Sequence, residues 1–244
     1  METHRPQLFG LLAGLFLAAG LCLASFILAK AWTRLYESQV ISITGSARRN
    51  VTSDLVIWRA RFAIQADTLI DAQQRLKDDR AKVEAWLRLH RLQNYQLRPV
   101  QISEIRSRAN RDEDTATKLL GYRISQTVEV VSDRVEQVPR IASDSTALLE
   151  QGVAFVSDQI EFIYTKAGEA KIELMAEATR DARARAEQIA VQGGRTIKEL
   201  RSARMGVVQI NALYSNATSW EGNNDTSSPE KTITTTVNAT FALR

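Results

Sequence analysis

The hydrophobic and polar positions divide the chain into one long apolar run and a remainder built of shorter periodic patterns. Residues 8–29 contain 22 consecutive positions without a charge. A helix of this length reaches about 33 Å, enough to cross a hydrocarbon core of about 30 Å. The run predicts a transmembrane anchor over residues 8–30, after a short tail (1–7) and before a linker (31–39).

The same run has an alternative interpretation as a cleaved signal peptide, because Ala29-Lys30-Ala31 has the form of a cleavage site. The apolar part of a signal peptide is usually only about 7–15 residues long, and Arg5 is the one Lys or Arg before this run. A retained single-pass anchor is therefore favoured.

Charges around the run bear on its orientation in the membrane. Arg5 precedes it, whereas Lys30, Arg34 and the Arg48-Arg49 pair follow it. The positive-inside rule applied to these residues would place the rest of the chain in the cytoplasm, although long domains are translocated largely regardless of charge. The charges alone leave both orientations open.

After the anchor, three segments alternate between apolar and polar residues, the pattern of a half-buried strand. They span residues 55–64, 121–131 and 232–243. Their expected apolar faces are Val56, Trp58, Ala60, Phe62 and Ile64; Tyr122, Ile124, Val128 and Val130; and Ile233, Val237, Ala239, Phe241 and Leu243. Further strands are predicted around Val40–Thr44, Leu97–Ile105, Val156–Tyr164 and Ala203–Ile210.

Helical periodicity predicts two helices between these strands. The first covers about residues 68–92, with an apolar stripe formed by Leu69, Ala72, Leu76, Val83 and Trp86. The second begins at Asp133, where Asp133 and Glu136 form a capping box. Its expected stripe is Val135, Val138, Ala142 and Leu149, and Gly152 would end it. Pro139 should kink this helix or delay its start.

A third helix is predicted in the alanine-rich stretch "MAEATRDARARAEQIAVQGG", residues 175–194, and ends at Gly193-Gly194. Its expected buried stripe is Ile172, Met175, Thr179, Ala182, Ala186 and Ile189. Arg180, Arg183 and Arg185 lie off this stripe, and acidic residues four positions away can pair with Arg183 and Arg185. We interpret the arginines as a solvated helix face and the alanines as the side that faces the core.

The order of these elements predicts an α+β fold, a largely antiparallel sheet packed by helices. Without the second helix, the order reads strand, helix, strand, strand, and then the same again, which suggests duplicated β-α-β-β units. Two polar loops, residues 106–118 and 214–231, complete this arrangement.

Composition narrows the class of function. The chain is 44% hydrophobic and 25% charged, typical of a globular protein. Its net charge of +4 comes from interspersed residues, and basic clusters are no longer than pairs such as Arg48-Arg49. Nucleic-acid binding requires basic residues gathered on one face, so no nucleic-acid partner is predicted.

Few residues are suited to catalysis or to metal binding. Cys22 lies in the apolar run and His4 in the tail, so a zinc site or a catalytic triad would depend on His90 alone. Gly193-Gly194-Arg195 is not followed by the Lys-Ser/Thr of a phosphate-binding loop. The carboxylate pairs Glu169/Glu173 and Asp112/Asp114 leave a hydrolase as an alternative. We predict no enzyme activity, catalytic residue, cofactor or metal.

Four stretches are similar to one known family. They are "ISITGSA" (41–47), "LLGYRISQTVEVVSD" (119–133), "LLEQGVAFVSDQIEF" (148–162) and "AEATRDARARAEQIA" (176–190). In these the chain resembles the SIMPL domain (DUF541) family over about residues 40–243, which makes 40–244 a SIMPL-like domain. It departs from the family pattern at Ser53-Asp54, where Pro-Asp is usual, and at Arg91-Leu92, where Gly-Ile is usual.

The resemblance implies a non-catalytic interaction or assembly protein of the bacterial cell envelope, linked in some bacteria to stress tolerance. It favours a periplasmic domain on an inner-membrane anchor, a homo-oligomer, and an envelope protein as partner. A cytoplasm-facing signalling adaptor remains the alternative that the charges around the anchor allow.

Overall fold

The computed structural model describes residues 6–36, 39–107 and 118–244, and its first element is a long apolar helix. Helix α1 (Pro6–Tyr36) contains the span Gly10–Trp32, 23 residues with a mean hydropathy of 2.5 and none of them buried. By length and composition this helix can cross a membrane. It coincides with most of the predicted anchor.

The elements after α1 alternate between strands and helices. In chain order they are β1 (Val40–Thr52), β2 (Leu55–Ala66), α2 (Leu69–Leu89), β3 (Tyr95–Leu97), β4 (Gln101–Arg106), β5 (Leu119–Ser132), α3 (Gln137–Asp144), α4 (Ala147–Glu150), β6 (Phe155–Ile163), α5 (Ala167–Gln192), β7 (Ile197–Met205), β8 (Gln209–Ala212) and β9 (Glu230–Leu243). The runs β2-α2-β4-β5 and β6-α5-β7-β9 follow the predicted repeated order. The α+β prediction is confirmed.

The chain divides into two compact units, each described here by itself. Unit 1 consists of Met1–Ala47, Met175–Gly206 and Thr236–Arg244. Unit 2 consists of Arg48–Leu174 and Val207–Thr235. Strand β1, helix α5 and strand β9 contribute residues to both units.

Unit 2 contains a five-stranded antiparallel sheet. The strand order is β3-β5-β2-β6, and β4 also pairs with β5. The predicted alternation is confirmed through most of β2 and β5, where the buried residues are Val56, Trp58, Ala60 and Phe62, and Ile124, Val128 and Val130. Ile64 and Tyr122, predicted on the same faces, are half-buried. On the other face, Arg59 forms ion pairs with Glu129 at 2.8 Å and with Glu161 at 2.6 Å.

Aromatic side chains fill the core of unit 2. The ring of Trp58 lies 6.1 Å from that of Trp86 on α2 and 6.0 Å from that of Phe155 on β6, both edge to face. Thr68 caps α2 by accepting a hydrogen bond from the backbone N–H of Asp71 at 3.2 Å. Four of the five residues of the predicted stripe on α2 are buried, and Leu69 in its first turn is not.

The second predicted helix is wrong in its start and in part of its buried face. The backbone N–H of Arg134 donates to Ser132 Oγ, and the helix α3 begins only at Gln137, without a side-chain cap. Pro139 in its first turn accounts for the late start. The helix is then broken at Ser145, so that Leu148 is buried in place of the predicted Leu149. Gly152 follows α4 with a φ of +79°, as its predicted role requires.

Two of the predicted single strands are pairs of shorter strands. The segment 97–105 is interrupted between β3 and β4, where Pro99 has no N–H for the ladder. The segment 203–210 is interrupted by Gly206, Val207 and Val208, and β7 begins earlier than predicted, at Ile197. Strand β1 is longer than the predicted segment 40–44 and ends at Thr52.

Unit 1 packs α5 against strands through its smallest side chains. The strand order here is β1-β9-β7. Ala178, Ala182, Ala186 and Ala190 form a buried stripe with a spacing of four. Gly45 on β1 meets this stripe, and a Cβ added there would lie 2.7 Å from Ala182 Cα. The absence of a side chain at Gly45 is what permits this approach of helix and strand backbones.

The predicted stripe of α5 is correct at Ala182 and Ala186 and wrong at its ends. Ile172 is 67% exposed and Ile189 is 53% exposed, whereas the alanines at positions 170, 178 and 190 are buried. The prediction gave isoleucine precedence over alanine as a core residue. The close approach of the backbones reverses this order, because only a methyl group fits.

Candidate interaction surfaces

The carboxylate pair considered for a hydrolase lies on a solvated helix face. Glu169 and Glu173 are one turn apart on α5, and both are exposed. Glu173 forms an ion pair with Arg49 on β1. General acid–base catalysis favours a carboxyl held in a cleft with a shifted pKa, and this pair does not lie in one of the grooves described below. The second pair, Asp112/Asp114, lies outside the described residues.

The positions of His90 and Cys22 are explained by their places on helices. His90 ends α2, where its Nδ1 lies 2.9 Å from the carbonyl oxygen of Trp86 and its ring packs on that of Trp86. Cys22 is exposed on the apolar helix α1. Within residues 6–36, 39–107 and 118–244, no group of three or more His, Cys, Asp or Glu side chains has an arrangement that could hold a metal ion.

The arginines of the alanine-rich helix are exposed, as the sequence predicts. Arg183 pairs with Glu187 and Arg185 with Asp181, each at 2.9 Å. Gly194 follows the helix with a φ of +67°, and the N–H of Arg195 donates to the carbonyl of Ala190. Gly193 and Gly194 therefore form a glycine C-cap that ends α5.

Asp181 has a second partner that the sequence pattern did not indicate. Its Oδ2 accepts a hydrogen bond from the backbone N–H of Ser46 on β1 at 2.8 Å. This bond, together with the Arg185 guanidinium, holds the pKa of Asp181 below its usual value. Asp181 thereby satisfies one backbone donor at the outer edge of β1.

Beside this contact, β1 and α5 form a largely apolar groove of about 560 Å³. It is lined by Ser42, Ile43 and Thr44 from β1 and by Ala184, Arg185, Gln188 and Ile189 from α5. Ile189, predicted as a core residue, forms part of this exposed surface. The groove combines residues distant in sequence, so no local sequence pattern indicates it.

Unit 2 contains two polar clefts that share Asp133 and Arg134. The first is also lined by Arg91, which has a φ of +57° and whose carbonyl accepts a hydrogen bond from Arg134. The second contains Ser53 and Asp54. Thr165 donates to Asp54 through its hydroxyl at 2.6 Å and its N–H at 2.7 Å, which lowers the pKa of Asp54. The two departures from the family pattern thus line these clefts.

Sequence reasoning also missed a buried lysine. Lys231 is 1% exposed, and its Nζ donates to the carbonyls of Asp225 and Ser228 at 2.5 and 2.7 Å and contacts Asp225 Oδ2 at 3.2 Å. These three acceptors use all of the donors of the ammonium group. The lysine is therefore occupied in holding the loop before β9 and is not free for chemistry.

A model of a known protein family matches most of the chain. Residues 41–241 match the family model described as SIMPL, a protein of unknown function (DUF541). No curated protein matches the chain. The match includes the groove between β1 and α5 as well as both polar clefts.

Proposed function

Because the chain belongs to the SIMPL (DUF541) family, we propose that it is a membrane-anchored interaction and assembly protein of the bacterial cell envelope, without catalytic chemistry. The observation that carries the proposal is the exposed apolar span Gly10–Trp32, which could be buried in a bilayer. The family resemblance supports the envelope location and a role in stress tolerance.

The anchor is proposed to be retained rather than cleaved. The experiment is extraction of membranes at alkaline pH, followed by measurement of the intact mass of the protein. We expect the full-length mass in the membrane fraction. A soluble product that begins near Ala31 would identify the segment as a signal peptide and contradict the proposal.

The domain after the anchor is proposed to lie in the periplasm of a bacterial inner membrane. The family resemblance supports this location. The Lys and Arg residues after the span do not exclude it, because long domains cross a membrane largely regardless of charge. Alkaline phosphatase fused after Arg244 should be active, and green fluorescent protein at the same position should stay dark. The reverse pair of results would favour the cytoplasm-facing adaptor.

Self-association is proposed to use β7, an edge strand whose residues are almost all exposed. Leu200 is 47% exposed and Met205 is 54% exposed, which is unusual for a strand that is already paired on one side. Antiparallel pairing with a second copy, centred on Leu200, would place Glu199 opposite Arg201 twice.

Light scattering of the full chain in detergent tests this pairing. We expect the protein mass to exceed that of one copy and to fall to one copy in Leu200→Lys. Leu149→Lys, at a leucine that is 53% exposed on α4, is the matched control and should leave the mass unchanged. One-copy mass for the unaltered chain at all concentrations would remove self-association from the proposal.

A further inference from the structure

Strand β1 presents unpaired backbone groups at one edge of its sheet. Its one strand neighbour in the described residues is β9. The N–H of Ser46 donates to the Asp181 side chain and not to a strand. Because N–H groups two residues apart on a strand point to the same edge, those of Ser42 and Thr44 also point outwards. This is the geometry to which an additional strand can pair.

The groove beside this edge fits the side chains of an extended segment. Its apolar lining residues, here called the floor, are Ile43, Ala184 and Ile189, and its polar lining residues from α5, here called the rim, are Arg185 and Gln188. Alternate side chains of an added strand would point towards the floor, with a period of two residues. Strand addition combines the two features, since main-chain hydrogen bonds supply affinity and a pocket for alternate side chains supplies selectivity.

The charge of the groove lining indicates which segments match. Among the residues that line the groove, Arg185 is the one with a charged side chain. Arg185 on the rim uses Nε towards Asp181, and a guanidinium has further N–H donors. Strand β7 of a second copy is a poor occupant, because it brings Lys198, Arg201 and Arg204 against a single Glu199. The match is to an acidic segment.

We propose that the edge of β1 and the adjoining groove on α5 bind an extended acidic peptide by strand addition. The peptide backbone pairs with Ser42 and Thr44, an aliphatic side chain lies between Ile43 and Ile189, and a neighbouring carboxylate faces Arg185. The site deepens the proposed interaction role, on which it rests, and it does not depend on the side of the membrane.

Fluorescence anisotropy with the full chain in detergent tests the site. The probe is a labelled peptide of about eight residues, an ordinary strand length, that alternates valine and glutamate. We expect binding at least about tenfold tighter than that of the matched valine–lysine peptide, with a difference that shrinks as salt screens the charges. N-methylation of alternate amides should remove binding when it blocks the paired edge of the peptide and not when it blocks the other edge.

Substitutions on α5 locate the site. Ile189→Glu should weaken binding of the acidic peptide at least about tenfold, because it places a carboxylate on the groove floor. Ile172→Glu is the matched control, an exposed isoleucine of the same helix outside the groove lining, and should bind as the unaltered chain does. Thermal melts confirm that both variants fold.

Three results would overturn the site. They are equal binding of the acidic and basic peptides, unchanged binding by Ile189→Glu, and a dimer that is lost in Ile189→Glu, which would assign the groove to a second copy. None of them bears on the membrane topology that the fusion reporters measure. Peptide binding that survives Ile189→Glu would retain the interaction role and exclude only this groove.

Discussion

Units 1 and 2 both bury residues between a helix and an antiparallel sheet, but they use side chains of opposite size. In unit 2, the rings of Trp58, Trp86 and Phe155 meet at centroid distances of 6.0 to 6.5 Å. In unit 1, the alanine stripe of α5 meets Gly45, and backbone lies directly against backbone. Helix α2 therefore packs in unit 2 through buried aromatic area, whereas α5 packs in unit 1 through close approach of the backbones.

The difference teaches which substitutions each unit tolerates. A core of large side chains is weakened mainly by truncation, which removes buried area and leaves a cavity. An interface of methyl groups loses little buried area on truncation. It has no space for added atoms, so larger side chains destabilise it. The predictions below test this contrast, from the largest expected effect to the smallest.

The largest effect is expected for Ala186→Glu in unit 1. Ala186 is fully buried, and a glutamate there would need space that is absent and would bury a charge without a partner. We expect a loss of about 5 kcal/mol or more, comparable with the whole stability of many domains. Hydrogen exchange of α5 amides in the full chain measures the loss.

Ile189→Glu provides the control for this change. The same residue, glutamate, is introduced on the same helix, three positions further on and at an exposed site. It should leave the protection of α5 almost unchanged. Similar losses in both variants would mean that negative charge on α5, and not close packing, determines the effect.

Trp58→Ala in unit 2 should have the next largest effect. Trp58 is fully buried, contacts two aromatic rings, and donates through Nε1 to Ser157 Oγ at 2.8 Å. Truncation of such a residue costs about 3–5 kcal/mol. Denaturant unfolding measures the loss, with Trp220→Ala, at an 84% exposed tryptophan, as the control that should stay within about 0.5 kcal/mol. Equal stability of the two variants would contradict an aromatic core.

Two aspartates should give the units opposite dependence on pH. Burial raises the pKa of Asp79 on α2, so its contribution to stability falls as pH rises from the unfolded pKa of about 3.9 through the raised folded value. Asp181 in unit 1 has a lowered pKa, so its contribution is present above about 3.9 and is lost as pH falls through the folded value.

Thermal melts across pH separate these two contributions. Asp79→Asn should raise Tm at neutral pH, with a gain that disappears in acid, because the amide avoids a buried charge whose Oδ2 has no hydrogen-bond partner within the described residues. Asp181→Asn should cost about 1 kcal/mol at neutral pH, after allowance for solvent screening, and nothing in acid. Shifts of the same sign in both variants would contradict this assignment.

The sequence could predict those regions in which a local pattern of residues determines burial by itself. Strands β2, β5 and most of β9 have one face in a core, so their alternation predicts burial there. At the ends of β9 the prediction is wrong, because Thr232 and Ala242, outside the predicted apolar face, are buried and Leu243 is half-buried. The buried face of α5 could be predicted only in part, because hydrophobicity favours Ile189 while the approach of Gly45, far away in sequence, selects alanine. The start of α3 was predicted only in part: Pro139 correctly indicated a delay, but Ser132 Oγ accepts a hydrogen bond from the Arg134 N–H and Asp133 does not begin the helix.

The candidate groove was beyond sequence reasoning because no local pattern describes it. It requires knowing that β1 is an edge strand and that α5 passes beside that edge, and both are properties of chain topology. The hydrogen bond from the Ser46 N–H to the Asp181 carboxylate could not be predicted from sequence for the same reason.

The smallest effect is expected when Arg180, Arg183 and Arg185 of unit 1 are all changed to glutamine. Their side chains are exposed, and two of them form pairs with a spacing of four residues on the helix, so the loss should total only about 1 kcal/mol. The matched control is Arg75→Gln with Arg80→Gln, which removes two equally spaced pairs from α2 in unit 2. Denaturant unfolding should give similar small losses in both variants, because solvent screens such pairs whatever core lies beneath the helix. A collapse of the arginine triple variant alone would show that unit 1 is stabilised by the charged face of α5 and not by its alanine stripe. Weaker binding of the acidic peptide with the fold intact would instead agree with the rim position of Arg185.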